Sequence, residues 1–142
     1  MKKLKPFAIL TSTYHAPIIN GMLDGALEFL HKNKAKHKII EAPGAFEMPL
    51  LAKKLAQSKK YSGVICLGCV IKGDTAHFEY ISEAVAHGLM QAGLETGVPI
   101  AFGILTTYTE DQAVARAQPG VENKGLEAAR ACFESAKAQL SF

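Results

Sequence analysis

Apolar and polar residues follow one another along this chain in two rhythms. Four short runs read as strands: 6–11 (Phe7, Ala8, Ile9, Leu10), the mixed run 37–41 (Ile39, Ile40), the almost unbroken apolar run 62–71 (Val64, Ile65, Cys66, Leu67, Cys69, Val70, Ile71) and 99–105 (Ile100, Ala101, Phe102, Ile104, Leu105). The run at 62–71 suits a strand buried on both faces of a parallel sheet, and 99–105 reads as a further buried strand. Between them, apolar residues recur in steps of three and four, the spacing of a helix with one buried face. The first such stretch starts at Pro17 and carries Ile19, Met22, Leu23, Ala26 and Leu30. The second carries Met48, Leu51 and Leu55, and its Pro49 is tolerable because it falls in the first turn. The third runs from Phe78 through Ile81, Val85, Leu89 and Ala92 to Gly93 and Gly97. A short helix over 110–117 breaks at Gln118-Pro119-Gly120, and a last one over 123–140 carries Leu126, Ala129, Phe133, Ala136 and Leu140. Its Ala128, Ala131, Cys132 and Ala138 widen the apolar arc beyond what one sheet needs, which predicts a second buried contact such as another subunit. Strands alternating with helices predict an α/β fold, a three-layer sandwich around a four-stranded parallel sheet, with one domain over 1–142.

Composition narrows the function classes. No apolar run approaches the length of a membrane span. The start, Met1-Lys2-Lys3-Leu4-Lys5-Pro6, is basic, but the apolar residues 7–10 give way at once to Thr11-Ser12-Thr13, too soon for a signal peptide. A cytoplasmic chain without a membrane partner is the expectation. The formal net charge is +3 and the lysines cluster at 32, 34, 36 and 38 and at 53, 54, 59 and 60. These are predicted helix ends, where lysine suits the helix dipole and solvent. Arg116 and Arg130 are the only arginines and no aromatics interleave the lysines, so no nucleic-acid partner is predicted. Cys66, Cys69 and Cys132 cannot form a complete disulfide framework, in keeping with a reducing compartment. Cys66 and Cys69 have metal-motif spacing, yet three residues apart on a strand they point to opposite faces and read as core thiols, not zinc ligands.

The candidate chemistry lies where the third strand turns into the third helix, at Val70-Ile71-Lys72-Gly73-Asp74-Thr75-Ala76-His77-Phe78-Glu79-Tyr80. Open α/β sheets bind ligands at the carboxyl ends of their strands. Gly73 can adopt backbone angles other residues avoid, Asp74 and Thr75 are capping types, and the first helical N–H groups have no partner within the helix. A phosphate could accept those bonds and feel the positive end of the helix dipole. Lys72 adds charge, His77 adds a group that titrates near neutrality, and the Asp74 carboxylate competes for the same donors.

Five blocks in order, Pro43-Gly44-Ala45-Phe46-Glu47-Met48-Pro49, the stretch from Val70 to Tyr80, Phe102-Gly103-Ile104-Leu105-Thr106, Gln112-Ala113 with Arg116-Ala117, and Asn123-Lys124-Gly125 with Glu127-Ala128-Ala129, resemble the lumazine synthase family across residues 7 to 140. The resemblance implies a flavodoxin-like fold, a pentameric working unit, active sites between neighbouring subunits, and no cofactor or metal. It implies a transferase of riboflavin biosynthesis that condenses 5-amino-6-(D-ribitylamino)uracil with 3,4-dihydroxy-2-butanone 4-phosphate to 6,7-dimethyl-8-ribityllumazine, releasing phosphate and water.

By the same resemblance His77 is the proton-transfer residue. Asp74 and Thr75 receive the substrate phosphate, and Arg116 reaches it from the adjoining subunit. Glu47 with Ala45 and Phe46 contacts the ribityl chain and pyrimidine; Cys69, Val70 and Ile71 line the strand end beside the ring; Phe102 comes from the neighbour and Lys124 lies nearby. Many relatives carry Phe-Asn or Trp-Asn after the first strand, where this chain has Tyr14-His15. Tyr14 can still stack on the pyrimidinedione. Two other classes share such a fold: a shell protein without catalysis and a flavin-binding module. Pentamer, decamer and sixty-subunit cage stay open.

Overall fold

The computed structural model describes residues 3–142, so the Met1-Lys2 end of the basic start lies outside the described residues. Strands β1 (Phe7–Ser12), β2 (His37–Ala42), β3 (Gly63–Ile71) and β4 (Ile100–Thr107) form one parallel sheet in the order β2-β1-β3-β4. Phe7 pairs with His37 on one side and Gly63 on the other, and Val64 pairs with Ile100. Side chains alternate between the faces of a strand, so β1, β3 and β4 each feed two cores, whereas edge strand β2 reaches only one, through Ile40 and Ala42, and leaves Lys38, Ile39 and Glu41 exposed. Phe7, Ile9, Ile65, Leu67 and Leu105 pack under α1 (Ala16–Lys32) and α5 (Lys124–Gln139), against Ile19, Met22, Leu30 and Ala129. Ala8, Leu10, Val64, Cys66 and Ile104 pack under α2 (Met48–Gln57) and α3 (His77–Thr96), against Met48, Ala52, Val85 and Leu89. This is the expected three-layer sandwich, with α4 (Glu110–Ala115) as a short extra helix.

Cys66 belongs to the second core and Cys69 to the first, so the two thiols do face opposite ways. Burial pushes all three thiols up: Cys69 to about 11, helped by the nearby Glu110 carboxylate, Cys132 to about 12, and Cys66 higher still. Among the described residues no group of three or more His, Cys, Asp or Glu is placed to hold a metal ion. No helix among them is long and apolar enough to cross a membrane.

Three expectations are corrected in detail. On α2 the fully buried residues are Met48, Ala52 and Ala56, whereas Leu51 and Leu55 are only partly covered. Close seating on the sheet favours the smaller side chains. β4 is an edge strand rather than a fully buried one, with Phe102 and Thr106 exposed. The wide apolar arc of α5 divides: Ala128 and Cys132 are buried by the chain's own sheet, while Ala131 and Ala138 stay exposed. With Met90, Leu94 and Phe102 they line an apolar groove of about 710 Å³ along the β4 edge.

Helix ends follow the local chemistry. Gly97 closes α3 in the left-handed region (φ 71°), donating its N–H to Gly93 O at 2.9 Å. Lys32 and Lys54 sit in the last turns of α1 and α2, as the lysine clusters suggested.

Candidate active site

Strand order reverses between β1 and β3: the chain leaves β1 for β2 on one side and returns to β3 on the other. The loops after Ser12 and Ile71 therefore part from each other at their carboxyl ends, opening the crevice in which such sheets hold ligands.

After β1 the chain turns sharply. The Tyr14 N–H donates to Ser12 Oγ at 3.1 Å, and His15 takes a left-handed conformation (φ 58°, ψ 48°) as its carbonyl accepts from the Ile18 and Ile19 N–H groups. Asparagine adopts that conformation more readily than histidine. Tyr14 is 64% exposed, and its ring edge lies 3.1 Å from where a Cβ on Gly44 would stand. Glu47 Oε1 lies 3.3 Å from the same point, so the phenol ring and the carboxylate converge on Gly44. Thr13 Oγ1 donates to Pro43 O at 2.8 Å and ties the two loops together. Gly44 enters the sequence reading only as a member of the first family block; its missing side chain is what lets Tyr14 and Glu47 come this close to the backbone there.

Residues 45–47 form a 3₁₀ turn that contacts β3 and α3. Ala45 is buried over Gly68, while Phe46 and Glu47 project outward. On β3, Cys69 is buried and Val70 and Ile71 are half-buried at the strand end.

Residues 72–76 are all exposed. The Lys72 N–H donates to Thr107 O at 2.9 Å, anchoring the loop to the end of β4. Ala76, not Asp74 or Thr75, precedes α3, and no side chain caps the helix. Thr75 instead accepts the His77 N–H at 3.3 Å. Gly73 lies outside the left-handed region, and nothing stands within 4 Å of where its Cβ would be. Its contribution is open space rather than unusual backbone angles. Lys72 is engaged with Glu79, which holds the Glu79 carboxyl below its ordinary range, and its ammonium lies 5.6 Å from the centre of the Phe78 ring. Thr75 Oγ1 thus takes the first N–H of α3, the helix carries no further side-chain cap, and His77 stands exposed in its first turn.

Phe102, Arg116 and Lys124 belong elsewhere. They line a separate cleft of about 550 Å³ beside β4 that includes none of Tyr14, Glu47, Asp74, Thr75 or His77. Arg116 follows α4, whose capping box is made by Thr109 and Gln112. Its guanidinium donates to Gln112 O at 2.8 Å, and Lys124 Nζ lies 3.2 Å from Glu127. Within one chain the candidate residues form two groups, one at the β1–β3 crevice and one at the β4 edge.

A parallel α/β sheet in the order β2-β1-β3-β4, with a helix start, a histidine and an exposed aromatic at its switch point, is a flavodoxin-like arrangement. Residues 5–139 match the family model described as 6,7-dimethyl-8-ribityllumazine synthase, and the chain belongs to that family. It is 53% identical over 131 residues to 6,7-dimethyl-8-ribityllumazine synthase 1 of Caulobacter vibrioides, covering 90% of this chain and 86% of that protein. The synthase of Syntrophus aciditrophicus is 50% identical over 90% of this chain and 85% of its own length. That of Nitratidesulfovibrio vulgaris is 46% identical over 92% and 86%.

Proposed function

We propose that this chain condenses 5-amino-6-(D-ribitylamino)uracil with 3,4-dihydroxy-2-butanone 4-phosphate to 6,7-dimethyl-8-ribityllumazine, in a site completed by a second copy of itself. The ring amine adds to the ketone, the carbinolamine loses water to an imine, phosphate is eliminated, and the ribityl-bearing nitrogen closes the second ring with loss of water. Every step relocates protons and none needs a strong nucleophile from the protein, so binding, orientation and a proton relay suffice.

The observation that carries the reading is the uncapped start of α3 with His77 in its first turn. In this reading Asp74, Thr75 and the helix N–H groups receive the phosphate, and His77 relays protons between the reacting nitrogens and the departing oxygens. Tyr14 stacks on the pyrimidinedione beside Val70 and Ile71, with Cys69 behind them, and Glu47 accepts from ribityl hydroxyls next to Ala45 and Phe46. Arg116 and Lys124 of a neighbouring copy grip the phosphate, and its Phe102 covers the ring.

Two features support a homo-oligomer, a pentamer or a multiple of pentamers. The candidate residues fall into two separate groups, and an apolar groove lies open along the β4 edge with exposed Met90 and Leu94. We also assign the enzyme to the cytoplasm, a setting in which its three free, buried cysteines would stay reduced.

A single-turnover experiment tests the function. Enzyme in excess over both substrates is mixed rapidly and the lumazine absorbance followed; a burst of product is expected. Absence of product at high enzyme concentration overturns the reading in favour of a shell protein, and tight riboflavin binding without turnover would point to a flavin module.

A further inference from the structure

We infer that Asn123 is a positioning residue for the phosphate grip: its buried amide holds Arg116 and Lys124 in fixed relation on one loop, and thereby governs the phosphorylated substrate alone of the two. The inference rests on the reading of the reaction given above.

Asn123 is 2% exposed, unusual for a polar side chain beside a surface loop. Its Oδ1 accepts from the N–H groups of Gly125 at 2.9 Å and Leu126 at 3.1 Å, capping α5. Its Nδ2 donates to Gln118 O at 2.9 Å and to Gly21 O of α1 at 3.0 Å. Both donors and both lone pairs of the amide are in use, across three segments of chain. The backbone joins in: the Asn123 N–H donates to Gly120 O at 3.1 Å, and the Lys124 N–H donates to Arg116 O at 2.8 Å. The last of these bonds directly couples the two cations that line the β4 cleft. Gly25 on α1 leaves the space that Asn123 Oδ1 occupies, since a Cβ there would collide with it.

A helix cap alone needs only an acceptor, which serine or aspartate also supplies. The two donor bonds do something a cap does not: they strap the loop from 116 to 122 onto α1. Without them Gln118 O and Gly21 O lose a partner, and the loop that carries Arg116 gains freedom relative to the body of the fold. Two cations that must meet one small dianion lose more from such freedom than a broad apolar contact does.

The test uses Asn123→Ser, which keeps an oxygen for the cap but removes the amide arm. A second variant, Gly120→Ala, perturbs the same loop at a position with φ 123° and open space around its Cβ. In each, the KM for 3,4-dihydroxy-2-butanone 4-phosphate is expected to rise about tenfold. Inhibition by inorganic phosphate should weaken in parallel, while the KM for ribitylaminouracil and the helical circular dichroism stay at wild-type values. A folded Asn123→Ser with both KM values unchanged, or with both raised equally, overturns the inference. If Asn123→Ser does not fold, the same two outcomes are read from Gly120→Ala. Failure of the wild-type protein itself to form lumazine would instead overturn the parent reading.

Discussion

Replacing Gly44 by alanine probes the pyrimidine side of the site through a single methyl group. The Gly44 backbone is extended (φ −166°, ψ −175°), a conformation open to any residue, so the substitution introduces no backbone strain. The new methyl would stand 3.1 Å from Cδ2 and Cε2 of Tyr14 and 3.3 Å from Oε1 of Glu47. Carbon atoms prefer about 3.5–4.0 Å, so the ring must yield by about half an ångström. A displacement of that size forfeits about a quarter to a half of a contact's attraction. Since a well-placed aromatic pair contributes about 0.5–1.5 kcal/mol, stacking would lose about 0.5 kcal/mol. If Glu47 also gives way, one hydrogen bond to a ribityl hydroxyl weakens, by about 1 kcal/mol. The sum, about 1.5 kcal/mol, corresponds to about a tenfold rise in the KM for ribitylaminouracil. Steady-state lumazine formation with each substrate varied in turn is the assay, with calorimetric titration of ribitylaminouracil alone as its check. The KM for the ketone phosphate should not move. Unaltered affinity for ribitylaminouracil in Gly44→Ala would refute the claim that Tyr14 and Glu47 flank that substrate.

Other consequences can be measured on the same protein. His77→Ala should slow single turnover by about a hundredfold while ribitylaminouracil still binds; an undiminished rate removes His77 from the mechanism. Arg116→Ala should weaken the phosphorylated substrate by about ten- to a hundredfold, and equal loss for both substrates would mark the arginine as structural. The thiols set a pH dependence whose sign follows from burial. Unfolded cysteines ionise near about 8.5, whereas in the fold Cys69 is held up to about 11 and Cys132 to about 12. Below about pH 8.5 both states keep their protons and stability is unaffected; above it only the unfolded chain ionises, so stability falls as pH rises. Melting temperature should therefore drop between about pH 9 and 11, and a thiol reagent at pH 8 should find no reactive cysteine until denaturant exposes all three. Rapid labelling of the native protein would contradict this.

The parts of the molecule that were legible in the sequence are those where one physical cause dominates. The β3 run, apolar at nearly every position, reads as an inner parallel strand, and the structure places it between β1 and β4 with the turn after it at the carboxyl edge of the sheet. The opposite facing of Cys66 and Cys69 followed from strand periodicity alone. β4 shows what a burial pattern conceals: Phe102 looks like core residue by composition, yet it stands 37% exposed on an edge strand. A hydrophobic pattern does not by itself tell an edge strand from an inner one. The structural parts of Gly44 and Asn123, both members of the family blocks, were not legible for another reason. One acts through the absence of a side chain and the other through bonds to Gly21 and Gln118, the first of them 102 positions away in sequence. Neither effect leaves a periodic trace. The cap of α3 differs from what the capping types Asp74 and Thr75 suggest, because the backbone hands the N-cap position to Ala76 and leaves Thr75 to accept the His77 N–H alone.

In the proposed reaction one active site draws on two copies of this chain. Mixing His77→Ala and Arg116→Ala proteins, dissociated and reassembled together, puts the question directly. If sites form between copies, random assembly of equal amounts gives about a quarter of sites with both residues intact, and activity should recover to about that fraction of wild type. A mixture no more active than its two parents would show that His77 and Arg116 must come from the same chain, contrary to the two-copy site.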